Sequence, residues 1–408
     1  MEWLTIIYLF YLFVALYFLS LYALTYFQNK GKIYFVPSIT KKYSLTMVVP
    51  CYNEEKDIEK TVVSLINAGY SNLKRIIVVD DCSTDNSYQI IKGLAKKYPL
   101  VMAVQTPKNT GKASGAKNYG AQFAETDLIG FTDADSFPEK GSIEKMIGFF
   151  DDTKTAAVTS MVLVNNKENW ITKLQAIEYR VIAFTRKLLG FLEAIYVTPG
   201  PLAIYRKNIF EEVGGFDEKN MTEDIEITWN FVKHGYKVEM SAPSHVFTVA
   251  PKKFLEWFKQ RLRWNIGGIQ TIRKYKSSFL GTGMLGLFIL PFFVFSWSLG
   301  IVGLSVFIYR MVNFILAKYL ITSYSVGANV ALLSFQDINL VPNVLYFFGL
   351  AIFVLGLGFT LISLLNTPEK GHKVNVFWLA CYILFYLSAY PIILLISLYK
   401  VIRGKYSW

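Results

Sequence analysis

Apolar and polar positions divide this chain into two regimes. Four stretches carry no charged side chain: Trp3–Asn29, Ser277–Tyr309, Ile338–Pro368 and Val374–Tyr399. Crossing the hydrocarbon core takes about 20 apolar residues, and each stretch supplies them. Between Lys30 and Lys276 the pattern becomes that of a globular domain. "LTMVVPCYNEE" predicts a β-branched strand that stops at Pro50 and turns into an acidic helix start. "RIIVVDDCSTDNS" repeats the design, with two aspartates at the strand's carboxyl end and a capped helix from Asp85 to Tyr98. "VMAVQTPKNTGKASGAKNYGAQFA" predicts a third strand, a glycine-rich turn and a third helix, and "LIGFTDADS" a fourth strand ending in aspartates.

This alternation predicts an α/β domain with a Rossmann-like parallel sheet, helices on both faces, and a ligand at the carboxyl ends of the strands. Tyr52, Asp81, Lys112, Asp133 and Asp135 gather at those ends. No glycine-rich dinucleotide fingerprint follows the first strand, which argues against a nicotinamide or flavin enzyme. Farther on, "NWITKLQAIEYRVIAFTRKLLGFLEAIY" has helical apolar spacing with scattered cations, the pattern of a helix lying on a membrane face. "TPGPLAIYRKNIFEEVGGF" reads as turn, short strand and helix, and "MTEDIEITWNFVKHGYKVEM" as an acidic loop, a helix to His234 and a strand.

Composition supports a mixed membrane and globular protein. The chain has 408 residues, 53% hydrophobic and only 18% charged, with a mean hydropathy of +0.34. The expected segments are an amino-terminal membrane helix (1–29), a globular domain (30–250), an interfacial helix (251–276), and membrane helices with a short tail (277–408). The first apolar run is too long for a cleaved signal and lacks a small-residue cleavage site, so it reads as an uncleaved anchor. Lys30, Lys32, Lys41 and Lys42 follow it, which puts the domain in the cytoplasm. Lys400, Arg403 and Lys405 favour a cytoplasmic carboxyl terminus, which requires an even number of later spans. Met311–Phe335, with Asn313 and Lys318 inside it, is the candidate for the fourth. Cys51, Cys82 and Cys381 have neither metal-ligand spacing nor the number for a disulfide framework. The net charge of +12 fits nucleic acid, anionic lipid or a polyphosphate substrate.

Asp133-Ala134-Asp135 follows a buried strand, and two carboxylates so close repel unless a cation or protons intervene. A magnesium or manganese ion shared with a diphosphate is one solution; a helix cap is the structural alternative. Thr222-Glu223-Asp224 offers a general base in Asp224, or a threonine cap with acids favouring the helix dipole. Gly111-Lys112 is only a fragment of a phosphate loop. His245 is the one histidine eligible as an extra metal ligand, with a packing role the alternative; His234 ends a helix and His372 lies in a loop. "WFKQRLRWNIGG", Trp257 to Gly268, could bind nucleic acid, anchor at lipid, or cradle an anionic leaving group beside a sugar.

Taken in order, "VVPCYNEE", "VVDDCSTDNS", "NTGKASGAKNYG", "DADS", "TED" and "QRLRW" resemble the membrane-integrated family 2 glycosyltransferases of GT-A fold. The likeness runs from about Leu45 to Gly268. It is nearest the poly-N-acetylglucosamine synthases, with hyaluronan, chitin and cellulose synthases as relatives. That resemblance implies a processive, inverting enzyme that polymerises a UDP-sugar at the cytoplasmic face and exports the glycan. UDP-N-acetylglucosamine is the first donor expected. Pro50, Tyr52, Glu54 and Asp81 would bind the nucleoside, with Tyr52 on the uracil. Lys112, Gln260 and Arg263 would face the diphosphate. Asp133 and Asp135 would hold Mg2+ or Mn2+ and the donor. Asp224 would be the base, with Glu223 beside it in the catalytic triplet. Gly200, Pro201 and Trp264 would border the acceptor, although Thr198-Pro199-Gly200 departs from the serine or glycine more usual there. Arg261 would make a lipid or structural contact, and Gly267 and Gly268 would let the helix approach the channel closely. The resemblance also implies a multi-pass protein of the cell membrane and allows a small accessory membrane subunit; it excludes nucleic acid, because QRLRW runs directly into a membrane helix. Two rival functions are transfer of one sugar to a membrane lipid, and a non-catalytic transporter or scaffold.

Overall fold

The computed structural model describes residues 3–281, 283–328, 344–367 and 375–404. The elements run α1 (Trp3–Asn29), β1 (Leu45–Cys51), α2 (Ile58–Asn67), β2 (Leu73–Asp80), α3 (Ser87–Lys97), β3 (Val101–Gln105), α4 (Ala113–Ala121), β4 (Leu128–Phe131), β5 (Ser136–Pro138) and α5 (Glu144–Ile147). They continue with β6 (Thr155–Val164), α6 (Trp170–Gly190), β7 (Ala203–Arg206), α7 (Lys207–Glu212), α8 (Glu223–Lys233), β8 (Lys237–Thr248) and α9 (Phe254–Tyr275). The apolar helices α10 (Leu290–Ala328), α11 (Val344–Leu365), α12 (Val376–Cys381) and α13 (Ala389–Ile402) complete the described chain.

The eight strands form one sheet in the order β3-β2-β1-β4-β7-β6-β8-β5. The first four are parallel, as the βαβ alternation predicts. β7 then runs antiparallel to both β4 and β6, and β5 antiparallel to β8. The sheet is therefore mixed, which corrects the all-parallel expectation: the strands after β4 are not joined by repeated βαβ units. β1 is buried at every position and includes Pro50, which pairs with Val79 instead of ending the strand. Its alternate residues serve two cores. Val48 packs with Val79 and α4 on one face, and Val49 with Val78, α2 and α3 on the other, as a strand covered on both sides requires. Gly120 brings α4 onto this sheet, since a Cβ there would lie 2.5 Å from Val48 Cγ1.

α6 is not a surface helix. It lies between β6 and β8 on one side and α1, α11 and α12 on the other. Arg180, Arg186 and Lys187 are consequently buried, where the sequence pattern placed them at a membrane face. Two of these cations have hydrogen-bond partners: Lys187 Nζ donates to Met240 O at 2.9 Å, and Arg180 Nε to Thr367 Oγ1 at 3.0 Å.

Among the described residues, three helical segments are long and apolar enough to cross a membrane: Thr5–Lys32, Leu285–Ala328 and Val376–Ile402. The second is 44 residues long, about 66 Å of helix, and it absorbs Met311–Ala328 without a reversal. Met311–Phe335 is thus no separate span as far as it is described. The Asn313 side chain satisfies its amide within this helix, donating from Nδ2 to Tyr309 O at 3.0 Å. His372, Lys405 and the rest of the carboxyl-terminal tail lie outside the described residues.

Candidate active site

The carboxyl ends of the parallel strands, the loop after β4, the start of α8 and one face of α9 surround a cavity of about 590 Å³. Every site residue that the family resemblance implies borders it. Pro50, Tyr52, Glu54, Asp81 and Lys112 line it together with Asp133 and Asp135, Gly200 and Pro201, Glu223 and Asp224, and Gln260, Arg263 and Trp264. These residues span more than 200 positions of sequence, and only the fold, sheet and packed helices together, unites them. Asp133 and Asp135 occupy the turn between β4 and β5, where the chain leaves the parallel half of the sheet for its far edge.

The acidic groups are under electrostatic stress. Burial, followed by the neighbouring Asp133, pushes the Asp135 carboxyl up to about 7. Burial, then Asp135, brings Glu54 to about 7 as well. Asp224 also reaches about 7, raised by burial and by Glu223 while Lys117 and Arg263 pull the other way. Burial opposes the charge of Glu223 too, but Lys117 wins and holds that carboxyl below its usual range.

Lys117 is the residue the sequence reading missed. Its amine donates to Glu223 Oε1 at 2.9 Å and lies 3.3 Å from Asp133 Oδ1, bridging the DAD and TED motifs. Burial works against its charge, yet Glu223 and Asp133 overcome this and keep the ammonium firmly protonated. α4 sets it among small buried residues, Ser114, Gly115, Ala116, Gly120 and Ala121, so its side chain has no route to solvent.

Lys112, by contrast, is held by a loop. Its Nζ donates to the carbonyls of Glu218 at 2.9 Å, Lys219 at 3.0 Å and Asn220 at 3.3 Å. It ties the segment ahead of TED to the cavity rim. Asp81 likewise accepts from Thr106 Oγ1 at 2.8 Å and from Thr110 N and Oγ1 at 3.0 and 2.8 Å, which shapes the loop before α4. Thr222 makes no side-chain cap on α8, so the capping explanation of TED lacks its hydrogen bond. His245 pairs with Glu139 at 3.1 Å and does not border the cavity, which removes it as a ligand for the DAD pair.

α9 carries the QRLRW residues, and a buried network fixes its rotation. Arg261 pairs with Glu178 of α6 and donates from Nε to Tyr390 Oη at 2.9 Å. Tyr386 Oη donates to Glu178 Oε2 at 2.6 Å and accepts from Trp257 Nε1 at 2.6 Å. The Arg261 guanidinium stacks 3.9 Å from the Trp264 ring centroid, a cation–π contact that orients the indole at the cavity wall. Arg261 is therefore a structural contact and not a lipid one. Gly267 allows α9 to meet TED: a Cβ there would sit 2.1 Å from Thr222 Oγ1. Gly268 accommodates Trp297 of α10 in the same way, at 2.7 Å.

Comparison with known proteins agrees with this arrangement. Residues 46–214 match the family described as Glycosyl transferase family 2. A poly-beta-1,6-N-acetyl-D-glucosamine synthase of Staphylococcus aureus is 29% identical over 278 residues, covering 64% of this chain and 67% of the relative. The Staphylococcus epidermidis synthase of that name is 29% identical over 250 residues, covering 61% of this chain and 60% of the relative. Among solved structures, the mannosyltransferase PcManGT from Pyrobaculum calidifontis, in complex with GDP-Man and Mn2+, superposes with a TM-score of 0.62. That match is 18% identical and covers 98% of this chain and 99% of the other, so the GT-A-like sheet and the flanking helices form one shared fold. The family match over residues 46–214 and the synthase-named relatives together make the protein a glycosyltransferase.

Proposed function

We propose that this glycosyltransferase extends a glycan processively from a UDP-sugar, with inversion, at the cytoplasmic face of the membrane. The observation that carries the reading is that one buried carboxyl, Asp224, shares the cavity with the DAD pair, its pKa raised to about 7 by burial and by Glu223. A general base works best with a pKa near the operating pH. Glu223, the carboxylate beside it, is engaged by Lys117 at 2.9 Å, which leaves Asp224 as the one base of the triplet, and one base fits a single displacement. Asp224 would take the proton of the acceptor hydroxyl, and Arg263 and the DAD side would receive the departing UDP. Lys117 keeps Glu223 ionised, and the two together fix the start of α8 so that Asp224 holds its position. Trp264, stacked on Arg261, offers its apolar face to the acceptor sugar.

The DAD site fits a divalent cation. Asp133, Asp135 and Glu54 gather negative charge in the cavity, and burial with their mutual repulsion raises the pKa of Asp135 and of Glu54, which favours a cation there. No cluster of three or more ligating side chains occurs among the described residues. Two carboxylates suit Mg2+ or Mn2+, which binds through one or two protein carboxylates together with substrate phosphates. When bound, the cation would neutralise charge developing on the leaving diphosphate.

The poly-N-acetylglucosamine synthases among the relatives make UDP-N-acetylglucosamine the first donor to try. The test is to incubate the full-length protein in nanodiscs with a panel of nucleotide sugars, measuring UDP release and product size. A ladder of lengthening products from one UDP-sugar supports the reading. A single-sugar glycolipid from every active donor sinks the polymer and promotes lipid glycosylation.

A further inference from the structure

Tyr179, Ile182 and Arg186 line the cavity from α6 at the i, i+3, i+7 spacing of a single helix face. The first two give the wall an aromatic and an aliphatic surface. The third is a cation only 5% exposed, and its Nε and Nη1 find no acceptor. Among the described residues Arg186 enters no ion pair, whereas the other buried cations of the domain are engaged: Lys117 with Glu223, Arg261 with Glu178, Lys187 with a carbonyl. A buried guanidinium with unused donors is costly, and its planar fork matches a carboxylate or a phosphate.

We infer that Arg186 is an anion subsite at the acceptor end of the cavity, holding a phosphate or carboxylate carried by the acceptor. Its surroundings favour acceptor over donor. Tyr196, Asp224 and Tyr179 are the titratable groups that act on it, and Tyr179 also packs toward Trp264, with ring centroids 6.4 Å apart. The nucleotide side, with Tyr52, Glu54 and Asp81, belongs to other elements. The inference rests on Asp224 marking the acceptor end, as proposed above. It also narrows the acceptor. A plain N-acetylglucosamine homopolymer has no anion, so the group on Arg186 belongs to the molecule that starts the chain or to a sugar acid within it.

The test uses the full-length protein in phosphatidylcholine nanodiscs, saturated with UDP, in two arms. The soluble arm compares binding of methyl β-glucuronide with methyl β-glucoside; the lipid arm compares nanodiscs doped with farnesyl phosphate or farnesol. Wild type should prefer the anionic member of at least one pair by roughly tenfold, and the responding arm identifies the source. Arg186→Gln should erase that preference, and Arg186→Lys should restore part of it, with UDP affinity unchanged in both. No preference in either arm of the wild type, or a preference that survives Arg186→Gln, overturns the subsite. So does an Arg186→Gln variant that slows neutral and anionic acceptors equally and shifts the pH–rate profile, since that behaviour means the guanidinium only tunes Asp224. Asp224→Asn with full turnover, but with the anion preference intact, would instead count against the base and leave Arg186 standing.

Discussion

Lys117 and Glu223 form a buried ion pair, 2.9 Å between Nζ and Oε1, that joins the middle of α4 to the first turn of α8. The same amine reaches Asp133 at 3.3 Å, so one cation sets the spacing between the two acidic motifs of the cavity. Removing one member of a buried pair leaves the other uncompensated and costs about 3–5 kcal/mol. Lys117→Met should lower stability by that order in thermal or denaturant unfolding. It should also reduce UDP release by about 100-fold or more, because the start of α8 loses its anchor. Wild-type turnover in a destabilised Lys117→Met protein would show that the bridge is structural only.

Lys117 marks the boundary between what is legible in the sequence and what only the fold reveals. The strand-ending motifs were readable, because β-branched runs ending in Asp80-Asp81 and Asp133-Ala134-Asp135 announce parallel strands and their carboxyl ends. Lys117 was hidden, since its partners lie 16 and 106 positions away and only the fold brings them to it. Arg186 was misplaced for a related reason. Cations at helical spacing look alike whether a helix faces lipid headgroups or is enclosed, and α6 is enclosed by the sheet and the apolar helices. The antiparallel β7 also escaped notice, because strand direction is set by pairing and leaves no periodicity of its own. The long α10 hid the lack of a break near Met311, where a few polar residues imitate a boundary.

The pH dependence of turnover should follow Asp224. Its carboxyl must be ionised to accept a proton, and burial beside Glu223 raises its pKa to about 7. The rate should therefore climb as pH rises through about 7 and level off above it. Stability should run the opposite way for this group. A carboxyl with a raised folded-state pKa contributes stability fully below the unfolded value of about 4 and loses it as pH rises through about 7. A rate profile already flat from pH 5 to 8 would contradict the assignment.

Chelation should stop turnover, and either Mg2+ or Mn2+ should restore it, because the DAD pair needs positive charge beside the diphosphate. Thermal unfolding offers an independent reading: added Mn2+ together with UDP should raise the melting temperature more than UDP alone. Full activity after exhaustive chelation would take the cation out of the mechanism.

Gly267→Ala should uncouple α9 from the acidic turn. The added methyl would lie 2.1 Å from Thr222 Oγ1 and 2.7 Å from Thr222 Cβ, so one segment must move. Activity should fall sharply while UDP still binds at the Tyr52 side. Adding Thr222→Gly removes every clashing atom and should recover part of the rate. Gly267→Ala with normal kinetics would mean that the close approach is dispensable.

The most direct measurement compares wild type and Asp224→Asn, each full length in nanodiscs, for UDP release and product size with UDP-N-acetylglucosamine. The substitution keeps the shape of the side chain and removes its capacity to accept the proton. The expected result is a ladder of products from the wild type, none from the variant, and equal UDP binding by both. Turnover by Asp224→Asn at the wild-type rate would contradict the account at its centre.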